Sequence, residues 1–176
     1  MLDATVCTSG RTRPYIDGDT ETPNGVLRTH CARHYGEPVR LRRGACVLPG
    51  DTILVVHFTE KAIALGFAQA HTLAYDDLCY IAQWLKEDNA RRYGITAVHC
   101  QAILAPTLKA GGFELHPFTR YKEPWLRLYL EGWIILFHPK GIARFARGCQ
   151  PVVNGWQSLR DLFELAARLR SGQPPH

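Results

Sequence analysis

The run Thr52-Ile-Leu-Val-Val-His-Phe58 is apolar at odd and even positions alike, and Pro49-Gly50-Asp51 introduces it with a turn signal. Successive side chains of a strand point to opposite faces. A run that is apolar on both faces therefore predicts a central strand, packed from both sides. Further strands are expected. Val26 to Tyr35 is the first. Val39 to Arg42 alternates apolar with basic, as a half-buried strand does. Ile95 to Leu104 places Val98, Cys100, Ala102 and Leu104 on one face and His99 and Gln101 on the other.

Helical signals fill the intervals. Glu60 to Ala70 favours helix, with Gly66 as its weak point. From Leu73 to Arg92, Leu78, Ile81, Ala82 and Leu85 recur at helical spacing. Asp76 and Asp77 would lie in the first turn, Arg91 and Arg92 in the last, and Gly94 just beyond. That order suits the helix dipole and a glycine cap. Pro106 to Ala110 reads as a short helical turn. Gly111-Gly112 then relieves the backbone before a strand Phe113 to His116, with Phe113 and Leu115 facing the core. Ser158 followed three residues on by Asp161 opens a C-terminal helix whose inward stripe is Leu159, Leu162, Phe163, Ala166 and Leu169. These elements predict an α+β fold: a mostly antiparallel sheet packed against helices over 73–92, 124–137 and 158–170.

With 176 residues, 46% of them hydrophobic and 21% charged, the chain suits one globular domain with a sizeable core. Residues 25–171 form that domain. Residues 1–24 show no period and read as a disordered or loosely packed arm, and 172–176 as a flexible tail. The helix beginning at Pro124 is apolar nearly all round. Only Arg127 and Glu131 are charged, on one narrow stripe. Three outcomes suit it: burial in the fold, contact with a second copy or another protein through 125–137, or a membrane interface. It cannot cross a bilayer, because Trp125 to Phe137 spans about 20 Å as a helix against roughly 30 Å of hydrocarbon. No transmembrane segment is expected, and the opening residues contain no apolar run of the secretory kind.

The net charge of +5 comes largely from the C-terminal part, where Arg120, Lys122, Arg127, Lys140, Arg144 and Arg147 are spaced singly. A spread of that kind argues against nucleic acid as a partner. Six cysteines occur without a Cys-x-x-Cys pair, several among apolar residues. That pattern favours reduced thiols and a cytoplasmic protein, peripheral to the membrane at most.

No complete catalytic signature is present. Neither Gly-x-Ser-x-Gly nor either glycine-rich phosphate loop occurs. His30, Cys31 and His34 do not make a zinc pattern, and no metal or cofactor is expected. His57, His99, His116 and His138 each lie at or near the end of an element, where functional groups are often presented. The candidate ligand-binding residues are His57, His116 and His138. Arg144 and Arg147 would supply positive charge to an anionic group.

Two resemblances follow from ordered motifs. Tyr35-Gly36-Glu37-Pro38, Pro49-Gly50-Asp51-Thr52 with the apolar strand to His57, Gly112-Phe113-Glu114-Leu115-His116-Pro117, and Leu136-Phe137-His138-Pro139-Lys140-Gly141 with Arg144 resemble the YkoP-like domain family from about Tyr35 to Leu169. Phe58-Thr59-Glu60 departs from the Asn which that family tends to carry after the strand-end histidine. The resemblance implies an accessory or binding role in bacterial cell-envelope polysaccharide or glycolipid metabolism. Its partner would be an envelope-glycan enzyme, as with the polysaccharide deacetylase domains to which the family is attached, or an anionic glycolipid. The long helix, strand, short helix and Gly-Phe-Glu-Leu are also similar to the C-terminal half of GNAT acyltransferases. That likeness implies acetyl-CoA chemistry, but the Arg/Gln-x-x-Gly-x-Gly/Ala turn is missing, and the chain reads Gln69-Ala70-His71-Thr72 instead.

Overall fold

The computed structural model describes residues 20–65, 67–102, 105–117, 128, 132 and 153–173. Six strands form one sheet: β1 (Thr20–Glu21), β2 (Leu27–Arg33), β5 (Thr52–Phe58), β6 (Ile95–Ala102), β7 (Glu114–Pro117) and β8 (Val153–Ser158). Their spatial order is β1-β2-β5-β6-β8-β7. Every neighbouring pair is antiparallel except β5 and β6, which run parallel. β3 (Val39–Arg40) and β4 (Cys46–Val47) make a small separate hairpin. The expected α+β class, with its mostly antiparallel sheet, is what the chain adopts, and β5 is central as its sequence requires.

The parallel pair follows from its connection. A hairpin would have returned the chain antiparallel, whereas a helical crossover brings it back in the same sense. Here the crossover is α1 (Glu60–Leu65), α2 (Phe67–Trp84), a π-helical turn over Leu85–Asn89 and α3 (Ala90–Arg92). Gly94, at φ +65°, ends it where a side chain would be strained. The short α4 (Ala105–Ala110) follows β6, and α5 (Leu159–Arg170) follows β8. Ser158 caps α5 as expected, its Oγ accepting from the Asp161 N–H at 3.1 Å.

The two long helices among the described residues, α2 and α5, lie on one face of the sheet. Leu27, Cys31, Leu54, Val56, Val98 and Cys100 project from the strands toward Ala74, Leu78, Ile81 and Leu85 of α2, and toward Leu162 and Leu165 of α5. A smaller cluster on the other face joins Ile53, Val55, Ala97 and Trp156 to Leu41 and Val47 of the β3–β4 hairpin.

Several expectations need correction. The long helix begins at Phe67 rather than Leu73, because residues 67–84 contain no glycine or proline to interrupt good helix formers. Asp77 therefore sits mid-helix and faces inward, fully buried. Its carboxylate accepts from Thr22 Oγ1 at 2.5 Å, Asn24 N at 3.0 Å and Leu27 N at 3.3 Å, which ties α2 to the β1–β2 turn. Thr20–Glu21 pairs with β2, so the structured part starts inside the segment read as an arm. Leu115 is 37% exposed instead of facing the core. Among the described residues β7 is at the edge of the sheet, and the space over neighbouring Gly155 is already filled by Leu108 and Phe113. β8 was not expected as a strand at all. Of the apolar helix 124–137 only Leu128 and Gly132 are described, both helical, so its burial and its role as an interface lie outside the described residues.

Candidate functional site

Strand register determines which side chains share the second face. In antiparallel pairs, directly opposed residues point the same way. One lateral row reads His30 (β2), Val55 (β5), His99 (β6), Trp156 (β8) and Glu114 (β7). The adjacent row contains Arg28 opposite His57, and Gln101 opposite Asn154, which in turn faces His116. The alternation that sends Val98 and Cys100 into the helix-side core thus sends His99 and Gln101 here, as the sequence requires.

The imidazoles lie close together. His30 and His57 stack with ring centroids 5.1 Å apart and an interplanar angle of 18°. His99 lies 4.2 Å from the Trp156 ring, and His34 meets the same indole edge-on at 5.2 Å. His34 belongs to the loop after β2, where its Nε2–H donates to the Glu37 carbonyl at 2.9 Å. Burial does most to the central residue. His99 is 2% exposed, and its pKa is held down at about 3, chiefly by desolvation and further by the neighbouring His57, His34 and His30. It is a neutral imidazole at any physiological pH. Its Nε2 lies 3.3 Å from Asn154 Oδ1, which also accepts from Gln101 Nε2 at 3.2 Å. The Nδ1 of His99 is buried and has no hydrogen-bond partner.

The opposite face carries a second feature at the same end of the sheet. The β5–β6 register ends at Val56↔Cys100, short of the C-terminal residues His57–Phe58 and Gln101–Ala102. Beneath this point lies a cavity of about 20 Å³, room for roughly one water, lined by Val56, Phe58, Tyr75, Cys100, Thr107 and Phe113 among others. The hydroxyls of Tyr75 and Thr107 are buried without partners. Burial raises the Tyr75 pKa and lowers that of His71, which packs 4.6 Å from the Tyr75 ring. Cys100 is no nucleophile, since burial pushes its thiol up to about 12.

Of the residues singled out from sequence, His57 and His116 lie on the same face of the sheet; His116 stands opposite Asn154, whereas the β5–β6 pairing stops one residue short of His57. His138, Arg144 and Arg147 lie outside the described residues. His30, His34, Asn154 and Trp156 were not chosen. Asn154 and Trp156 sit on the unexpected strand β8, and the one signal that could have found them is the alternation of Val153, Gly155 and Gln157 with Asn154, Trp156 and Ser158. No group of three or more His, Cys, Asp or Glu among the described residues is arranged to hold a metal ion. Among the described residues, no helix is long and apolar enough to cross a membrane.

No family model, curated protein or solved structure matches this chain.

Proposed function

We propose that this chain is an accessory, ligand-binding domain whose site is the histidine face, serving bacterial cell-envelope polysaccharide or glycolipid metabolism as the YkoP-like resemblance implies. A cytoplasmic setting, peripheral to the membrane when the ligand is a glycolipid, belongs to the same proposal, as does an envelope-glycan enzyme as partner. One observation carries it. Imidazoles and carboxamides from β2, β5, β6, β7 and β8 gather on one sheet face, and among them is a buried polar atom that nothing in the fold satisfies. Buried polar atoms are nearly always paired, and an exception marks strain or a ligand position. Calorimetry with soluble envelope-glycan fragments tests this: saturable heat that disappears in His57→Ala supports the reading. Heat unchanged in that variant removes it.

A second reading is an acyltransferase of the GNAT kind. What favours it is the parallel pair that stops pairing above a cavity with two unpartnered hydroxyls. Gln69 to Thr72 weigh against it. They carry none of the glycines of the Arg/Gln-x-x-Gly-x-Gly/Ala turn whose backbone amides hold a pyrophosphate in that family. Acetyl-CoA in the same calorimeter discriminates: absence of heat at millimolar ligand ends this reading and leaves the first intact.

A further inference from the structure

Asn154 fixes the tautomer of His99. A carbonyl-type oxygen only accepts, so the 3.3 Å contact of His99 Nε2 with Asn154 Oδ1 places the imidazole proton on Nε2. Gln101 Nε2, donating to the same oxygen at 3.2 Å, holds the amide in that orientation. Nδ1 is then a bare lone pair, buried and unpartnered. The ring cannot resolve the deficit by taking a second proton, because burial and three nearby imidazoles disfavour the cation. What the position lacks is a donor.

We propose that this face binds an uncharged polyhydroxy ligand, one hydroxyl of which donates to His99 Nδ1. The inference rests on reading the face as a ligand site and adds the class of ligand. An anionic oxygen is itself an acceptor and would meet the lone pair unfavourably. Arg28, the cation in the described rows, already pairs with Glu21 at 3.1 Å. An ammonium group would need a carboxylate, and Glu114, at the far end of the row, is occupied by the Arg42 backbone N–H at 2.6 Å. A hydroxyl satisfies the acceptor without bringing charge into a buried place and keeps its own lone pairs for neighbouring N–H donors. His30, His57 and Gln101 stand on the same face as His99 and are only partly buried.

The test uses the full chain with ¹⁵N-labelled histidine and three tetrasaccharides: the N-acetylglucosamine tetramer, maltotetraose and tetragalacturonate. Long-range ¹H–¹⁵N spectra of the wild type should show His99 as the Nε2–H tautomer, and an uncharged tetramer should move its Nδ1 resonance upfield as the nitrogen gains a hydrogen bond. His99→Phe, which keeps a ring against Trp156, should weaken that binding about tenfold. If that variant does not fold, the wild-type Nδ1 shift still decides. Tighter binding of tetragalacturonate than of both uncharged tetramers would overturn the inference while leaving the face a ligand site. An uncharged tetramer that binds without moving Nδ1 also overturns it. If none of the three perturbs any histidine of the face, both the inference and the site reading fall.

Discussion

On the helix side of the sheet, Leu27, Leu54, Val56 and Val98 pack against α2 and α5 with at most 2% of their surface exposed. One residue along the same strands, on the other side, stand Arg28, Val55, His57 and His99. The first face is predominantly apolar and the carboxylate beneath it, Asp77, is fully hydrogen-bonded, while the buried hydroxyls of Tyr75 and Thr107 lack partners at its cavity. The second contains a buried imidazole with one nitrogen unsatisfied. Stability and recognition are thus divided between alternate residues of the same strands. Burial of apolar surface contributes on one side, while polar groups are carried on the other at some cost.

The largest expected effect tests the stabilising face. Leu54→Ala removes a side chain from the middle of the helix-side core and should cost about 3 kcal/mol, read as a shift of the urea midpoint with unchanged slope. A loss under about 1 kcal/mol would mean the two faces do not differ as described. Next comes Gly155→Ala, which works by crowding. A Cβ there would lie 2.9 Å from Leu108 Cδ1 and 3.2 Å from Phe113 Cδ1, both in the packed core. Overpacking of this kind costs about 2 kcal/mol. It should leave the histidine face untouched, so ¹⁵N-imidazole shifts ought to match the wild type.

Much of the stabilising face was legible in the sequence, and much of the other was not. Thr52 to Phe58 identified the central strand because a run apolar on both faces has few alternatives. Ser158 and Asp161 located a helix start because that cap has its own local chemistry. Along β6, alternation correctly separated His99 from Cys100. It could not say what stands opposite His99, since cross-strand partners come from register. Asn154 and Trp156 arrive from 55 and 57 positions downstream, in a strand whose Asn and Gly weaken the propensity signal. Asp77 was misplaced for a similar reason. A helix-dipole role is a local inference, whereas its real partners, Thr22, Asn24 and Leu27, belong to a turn some fifty residues upstream.

Acid sharpens the comparison on the histidine side. An unfolded His99 would titrate at its ordinary 6.5, while in the fold its pKa is about 3. Above pH 6.5 neither state holds the extra proton, and the native state keeps its full stability. As pH falls from 6.5 toward 3, the unfolded chain takes up a proton that the native state refuses. The native state then loses about 1.4 kcal/mol per unit, and about 1.4 kcal/mol in all by pH 5.5. His99→Phe lacks this group, so the difference between variant and wild type should shift in the variant's favour across that window. Parallel curves for the two proteins between pH 7 and pH 5 would show that His99 is not held neutral.

The smallest expected effect separates charge from backbone where the two sides meet at the hairpin. Arg43, after β3, reaches α5 with its Nη1 2.6 Å from Glu164 Oε2 and 3.4 Å from Asp161 Oδ1. These contacts raise the Arg43 pKa and, with Arg160, lower that of Glu164. Both side chains are solvent-exposed, where ion pairs are screened and worth little. The backbone at Arg43 is another matter. Its φ of +63° is a left-handed conformation that side chains disfavour and glycine adopts freely. Arg43→Ala removes the charge and keeps the strain, so its midpoint should stay within error of the wild type at 0.5 M salt. Arg43→Gly removes both and should be more stable than Arg43→Ala by about 1 kcal/mol. The reverse order, with both variants clearly weaker than wild type at high salt, would mean that the hairpin is held on α5 by its ion pairs. The second face would then depend on the first for its position through charge rather than through the apolar contacts of Leu41 and Val47 with Ile53, Val55 and Trp156.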